Sequence, residues 1–223
     1  MSAGLDLLVG GTPGEWALRN VSPALVRQVV SVDEALVALA LGLGHEVFAG
    51  DPHDAAFQPA RAALSFDFPL VLRPALIARY DGAIWNLHRG MLPYGRGTHP
   101  IFWALWEGTP AGATLHELTP RLHGGPVVEQ REVAVLASDT GGQLSARVRA
   151  AERELFMRWA PRLAAGERPV ATPQPYDDGT YHELAEFEFL RDEGHYEVPR
   201  AERERLERCL AFPPTQQPPT VPR

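Results

Sequence analysis

The chain has 223 residues, 45% of them apolar and 22% charged, with a formal net charge of -7, which suits one well-buried soluble domain with a modest extension. No apolar run reaches the roughly 20 residues that cross a bilayer, and the acidic balance excludes a large basic face for nucleic-acid phosphates. All 21 Lys and Arg positions are arginine, which excludes a lysine Schiff base and a P-loop lysine.

Met1 to Leu8 lacks the basic, apolar and small-residue succession of a secretory signal, so a cytoplasmic location is expected. Leu5 to Val9 is a short apolar run stopped by Gly10-Gly11, which suits a buried first strand. Gly10 to Gly14 matches neither the dinucleotide fingerprint nor the P-loop and reads as a turn. Arg27 to Val32 is a second strand. From Asp33, a plausible cap, apolar positions recur at helical spacing as far as Leu43, with Gly44 as the stop. His45 to Phe48, Ala62 to Phe66 and Ala83 to Asn86 supply three more strands, with a Pro-led helix over Pro74 to Tyr80 between the last two.

Strands alternating with helices imply a parallel sheet, whose ligands gather at the carboxyl ends of the strands. Asn86-Leu87-His88 emerges at one such end. After the Pro93 to Gly97 loop, Pro100 to Trp106 reads as an aromatic helix that packs rather than binds. Ala113 to Leu118 and Pro126 to Val135 form an antiparallel unit joined by a turn at His123-Gly124-Gly125. Leu144, Val148, Ala151, Leu155 and Trp159 form the apolar stripe of a long helix ending near Pro161. Beyond Gly166 the composition turns to Pro, Asp and Glu, with a Pro- and Gln-rich tail. The single Cys209 reads as an ordinary thiol.

Asn86-Leu87-His88, Leu92-Pro93, Gly95-Arg96-Gly97, Phe102-Trp103, Thr114-Leu115-His116 and Gly124-Gly125-Pro126 follow one another in an order that resembles the formyltransferase family. The resemblance covers roughly residues 5 to 165 and is strongest from Gly82 to Val133. It implies a Rossmann-like α/β fold, with a mostly parallel sheet, an antiparallel unit and flanking helices. The resulting division is a formyltransferase-like domain over 1–165, an extension over 166–211 and a disordered tail over 212–223. Pro100 to Trp103, Trp106, Thr109-Pro110 and Gly179 to His182 are most similar to sugar-amine enzymes and peptide-synthetase formylation domains, which points to specialised metabolism. Ser31 to Phe48 is also similar to the purine-pathway enzyme. A transfer-RNA role is not expected, since these residues show no match to the basic C-terminal domain of that branch.

The resemblance implies transfer of a formyl group from 10-formyltetrahydrofolate to a primary amine of a small molecule. Asn86 and His88 would stabilise the oxyanion formed at the formyl carbon. Where the family has its catalytic Asp, this chain has His123. Three alternatives stay open: His123 serves as a base, Glu117 or Asp67 replaces the Asp, or the site has turned to other acyl transfer, donor hydrolysis or ligand binding without turnover. The folate would lie along Ser65, Phe66, Asp67, Phe68 and Leu70 with Gly124. Arg96 and His116 would serve the acceptor, with Arg89 also flanking the site. His88, His99, His116 and His123 are too spread in sequence for a typical metal site, so no metal is expected. Neither a nucleic acid nor a membrane is expected as partner, and a homodimer is left open.

Overall fold

The computed structural model describes residues 4–193 and 200–212. A seven-stranded sheet forms the centre. Its strands are β1 (Leu5–Val9), β2 (Val26–Ser31), β3 (Val47–Ala49), β4 (Ala63–Phe66), β5 (Ile84–His88), β7 (Ala111–Glu117) and β8 (Val127–Val133), in the order β3-β2-β1-β4-β5-β7-β8. The first five run parallel, while β7 is antiparallel to both β5 and β8. The expected α/β architecture, a mostly parallel sheet with an antiparallel unit, is the one observed.

Helices cover both faces. They are α1 (Gly11–Asn20), α2 (Glu34–Gly42), α3 (Pro74–Ala78), α4 (Pro100–Glu107) and α5 (Gly141–Ala164). Successive strand residues point to opposite faces, and the chain fills both. Leu7, Val9, Leu64, Phe66, Trp85 and Leu87 pack on Leu155, Phe156 and Trp159 of α5. Leu8, Val30, Ala63 and Ile84 pack on Phe57, Leu76, Ile77 and Tyr80. Each such side chain contributes roughly 1.5 to 3 kcal/mol by leaving water. Asp33 caps α2 by accepting from the Ala35 and Leu36 amides. Asp6, buried inside β1, accepts from the Ala60 amide at 2.6 Å, the Tyr80 hydroxyl at 2.8 Å and Gln28 at 2.9 Å. No helix among the described residues is long and apolar enough to cross a membrane.

The structure differs from the sequence reading in three places. The Gly10 to Gly14 stretch is not a free turn, because α1 starts at Gly11 and a Cβ on Gly14 would sit 2.9 Å from that of Val9. Glycine there lets the helix lie directly on β1. The long helix α5 does not stop near Pro161 but runs to Ala164. A proline costs the bond to the carbonyl four residues back, and here both Pro161 and Met157 lie on the exposed face of the helix, where losing that bond costs least.

The third difference is the amount of structure beyond Gly166. A two-residue strand β9 (Tyr181–His182) pairs with β6 (Arg96–Gly97), and α6 (Leu184–Glu188) and α7 (Arg200–Leu210) follow. Phe187, Leu206 and the buried thiol of Cys209 pack against Phe102 and Trp103 of α4, and Phe102 also borders the cavity described below. The tail expectation falls, apart from Phe212, on residues 213–223, which lie outside the described residues.

Candidate active site

Sheet register brings the polar residues together. β4 and β5 run side by side with Ser65 level with Asn86 and Phe66 level with Leu87, so both strands end at the same rim, where Asp67 and Arg89 follow. On the other side Asn86 is level with His116 and His88 with Thr114. A cavity of about 600 Å³ opens over this rim, lined by Asp67, Phe68, Asn86, His88, Arg89 and His123 among others.

One wall is made of imidazoles. The His88 and His123 rings lie 4.0 Å apart between centroids, and His116 stands edge-on to both at 6.5 and 5.9 Å. Hydrogen bonding assigns a tautomer to each. His88 Nε2–H donates to the Gly95 carbonyl at 2.9 Å, which leaves the lone pair on Nδ1. His123 Nδ1 accepts from the Gly97 amide at 3.2 Å, so its proton sits on Nε2. His116 Nδ1–H donates to the Glu117 carbonyl at 2.8 Å, and its Nε2 accepts from Asn86 Nδ2 at 3.3 Å. The Asn86 amide is thereby oriented.

All three rings are neutral at neutral pH. Burial pushes His88 down to about 3, helped by the neighbouring His116. It pushes His116 to about 4, and burial followed by His88 and His116 holds His123 well below the ordinary histidine value. Removing imidazolium from water without a carboxylate partner favours the uncharged ring.

The opposite wall is charged. Arg89 Nη2 lies 2.7 Å from Asp67 Oδ1, and Arg89 Nε donates to Glu152 Oε1 at 3.3 Å. Glu152 belongs to α5, its side chain is 2% exposed, and Arg149 one turn earlier also lines the cavity. Burial drives the Glu152 carboxyl up to about 7, against the pull of Arg89 and Arg149 and with the push of Asp67. Asp67 is likewise raised by burial, with Arg89 opposing.

Five of the expected site residues line the cavity: Asp67, Phe68, Asn86, His88 and His123. The others do not. Ser65 and Phe66 are buried within β4, with Phe66 stacked on Phe156 at 5.5 Å. The lining takes in Pro69 and Val71 but passes over Leu70. Gly124 packs against Tyr176 and Arg121. His116 sits behind Asn86 as its support. Arg96, expected to hold a charged part of the acceptor, is buried instead: Nε donates to the Pro93 carbonyl at 3.1 Å and the guanidinium stacks on Tyr176 at 3.5 Å. Glu117, weighed as a replacement acid, is not in the lining.

Glu152 and Arg149 escape the sequence reading because their helix reads as an apolar packing stripe. The signal was available: Glu152 falls four residues from Val148 and three from Leu155, a carboxylate on a buried face. His99 at the start of α4, stacked on Phe187 at 3.7 Å, also lines the cavity, as does Tyr181, which the extension supplies. Among the described residues no cluster of His, Cys, Asp or Glu has the grouping that would hold a metal ion.

The family model that matches this chain is that of formyl transferase, over residues 55–159. The methionyl-tRNA formyltransferase of Xanthomonas axonopodis pv. citri (strain 306) is 38% identical over 119 residues, which are 52% of this chain and 39% of that enzyme; the chain therefore matches well under half the length of that relative. A sugar N-formyltransferase from Shewanella sp FDAARGOS_354 superposes with a TM-score of 0.77 at 17% identity, covering 96% of this chain and 90% of the other. The formyltransferase PseJ from Anoxybacillus kamchatkensis, solved with UDP-4,6-dideoxy-4-formamido-L-AltNAc and tetrahydrofolate, superposes with a TM-score of 0.63 at 24% identity, covering 82% and 96%. The rim that carries Asn86, His88 and His123 thus lies within the segment, residues 55–159, that matches the formyl transferase model, on a chain with the fold of the formyltransferases.

Proposed function

We propose that this protein is an N-formyltransferase that moves a formyl group from 10-formyltetrahydrofolate to a primary amine of a small molecule. The observation that carries the reading is the placement of Asn86 and His88 on one strand end, facing a cavity of about 600 Å³. Attack of an amine on the formyl carbon places negative charge on the carbonyl oxygen. A donor fixed in advance where that charge appears is worth roughly 3 kcal/mol of barrier. Asn86 is such a donor: one amide hydrogen is held by His116 and the other is left for the cavity. His88 offers its Nδ1 lone pair to a migrating proton, and His123 offers an Nε2–H at the third corner. Proton transfer of this kind contributes roughly 10² to 10⁴ in rate.

Phe68, Pro69 and Val71 after β4, with Leu122 across the cavity, give the folate a slot of mixed apolar character; Val71 and Leu122 are exposed at its rim. The tetrahydrofolate solved with PseJ supports the donor, and its formamido sugar nucleotide supports an amino sugar as acceptor class. His123 favours a second reading, in which the site hydrolyses the donor or binds without transfer, since a neutral imidazole stands where the family has a carboxylate.

The test is incubation with 10-formyltetrahydrofolate and a panel of amino sugar nucleotides, following formamide by mass spectrometry and tetrahydrofolate by absorbance. Formamide that disappears in His88→Ala is the expected result. Tetrahydrofolate with formate but no formamide establishes donor hydrolysis. Failure to bind a stable folate analogue, in both the native protein and His123→Asp, overturns both readings.

A further inference from the structure

At neutral pH an alkylamine is an ammonium ion without a lone pair, as the ordinary lysine value near 10 illustrates. Formylating it requires a group that first removes a proton. The imidazole wall is poorly placed for this. His123 presents Nε2–H rather than a lone pair, His116 is closed off behind Asn86, and the single lone pair of His88, on Nδ1, serves the proton that migrates during transfer.

Among the described residues three carboxylates line the cavity: Asp67, Glu152 and Glu183. Asp67 is held close by Arg89 at 2.7 Å. Glu183 is exposed, and its side chain accepts from the backbone at the start of α6. Glu152 is buried, borne on the rigid helix α5, and touches Arg89 through Oε1 at the longer distance of 3.3 Å. We propose that Glu152 removes the proton from the acceptor's ammonium group, in place of the carboxylate that His123 has displaced. This assignment rests on the formyl-transfer reading.

The step balances without any redox partner. The ammonium gives one proton to the Glu152 carboxylate, leaving a neutral amine and a carboxylic acid. The amine lone pair forms the bond to the formyl carbon, and the bond from that carbon to the folate nitrogen breaks with its electron pair. That nitrogen takes up a proton as the attacking nitrogen sheds one, and the Glu152 proton passes to water. Arg89 faces Glu152 from the end of β5, Asp67 from the end of β4, and Arg149 and Arg153 from α5 itself, with His88 beside Arg89. Burial and Asp67 raise the carboxyl while Arg89 and Arg149 lower it, and the balance near 7 lets it both accept and release a proton.

Methylamine and hydroxylamine test this on the full chain, because they are similar in size but only methylamine is protonated at neutral pH. In Glu152→Gln, kcat/KM for methylamine should fall roughly 100-fold at pH 7 and recover as the pH rises toward the range where methylamine deprotonates by itself. The rate with hydroxylamine should stay within a few-fold. Equal loss with both nucleophiles, loss that higher pH does not relieve, or no loss at all overturns the assignment while formyl transfer by the native protein stands. A native protein that formylates neither nucleophile nor any of the amino sugar nucleotides overturns the formyl-transfer reading and this assignment together. Circular dichroism and folate-analogue binding verify the variant's fold. Should it unfold, Glu152→Asp carries the same comparison, losing methylamine rate but not hydroxylamine rate.

Discussion

The two walls of the cavity solve one problem in opposite ways. Charge taken out of water is costly. His88, His116 and His123 avoid the cost by giving up their protons, whereas Asp67, Arg89 and Glu152 keep charge in the interior by pairing it. The first solution makes a wall of directional hydrogen-bond donors and lone pairs that stays neutral through the physiological range. The second makes a wall whose charge changes when one proton moves. The proposed transfer of a formyl group to an ammonium calls for both, a fixed donor for the oxyanion and a carboxylate that can be protonated and discharged.

Breaking the charged wall should have the largest effect. Arg89→Ala leaves the Asp67 and Glu152 carboxylates without their shared partner and should cost about 3 kcal/mol of stability, read as a lowered midpoint in urea. Breaking the neutral wall should act on rate instead. His88→Ala should lower kcat by roughly 10² to 10⁴ with folate-analogue affinity and urea midpoint little changed. If Arg89→Ala keeps its stability, or His88→Ala loses it, the contrast between a paired wall and a neutral wall fails.

A smaller effect sharpens the comparison through pH. His116 falls from the ordinary 6.5 to about 4 on folding, so between those values the unfolded chain binds a proton that the folded chain refuses. Its contribution to stability is therefore full above pH 6.5 and is lost as the pH falls toward 4, at roughly 1 kcal/mol per pH unit. Glu152 works the other way, because its folded value of about 7 lies above the ordinary 4.5. Its protonated form favours folding on the acid side, and that contribution fades as the pH rises from 4.5 to 7. Denaturation curves from pH 7 to 5 should accordingly show a shallower acid loss in His116→Gln and a steeper one in Glu152→Gln. The smallest effect belongs outside both walls. Arg158→Ala removes a half-exposed partner of Glu129 at 3.0 Å, and its midpoint should move by no more than about 0.5 kcal/mol.

The sheet was legible because its strands are apolar runs bounded by Gly, Pro and Asp, and Asn86 and His88 announce themselves as polar residues inside one of them. The imidazole wall was half legible: His88, His116 and His123 could be named, but their tautomers depend on the Gly95 carbonyl, the Gly97 amide and the Glu117 carbonyl, which no sequence pattern places. The charged wall was the least legible. Arg89 read as a flanking residue and Asp67 as a folate-side residue or replacement acid, and their meeting with Glu152 joins three elements far apart in the chain. β9 escaped because two residues carry no periodicity, and α6 and α7 because their few apolar positions are set among Glu and Arg.

The β6 and β9 ribbon bears on how this protein can be re-engineered. The Gly97 amide that orients His123 belongs to β6, and the flanking Gly95 and Arg96 amides donate to the Thr180 hydroxyl and carbonyl at 2.9 and 3.1 Å. A side chain on Gly97 would overlap the His182 carbonyl. A crossover point for chimaeras that looks natural at Gly166 would cut this ribbon from its partner and release the loop that sets the His123 tautomer. Residues 95 to 98 and 180 to 182 therefore form one cassette, to be exchanged together or not at all.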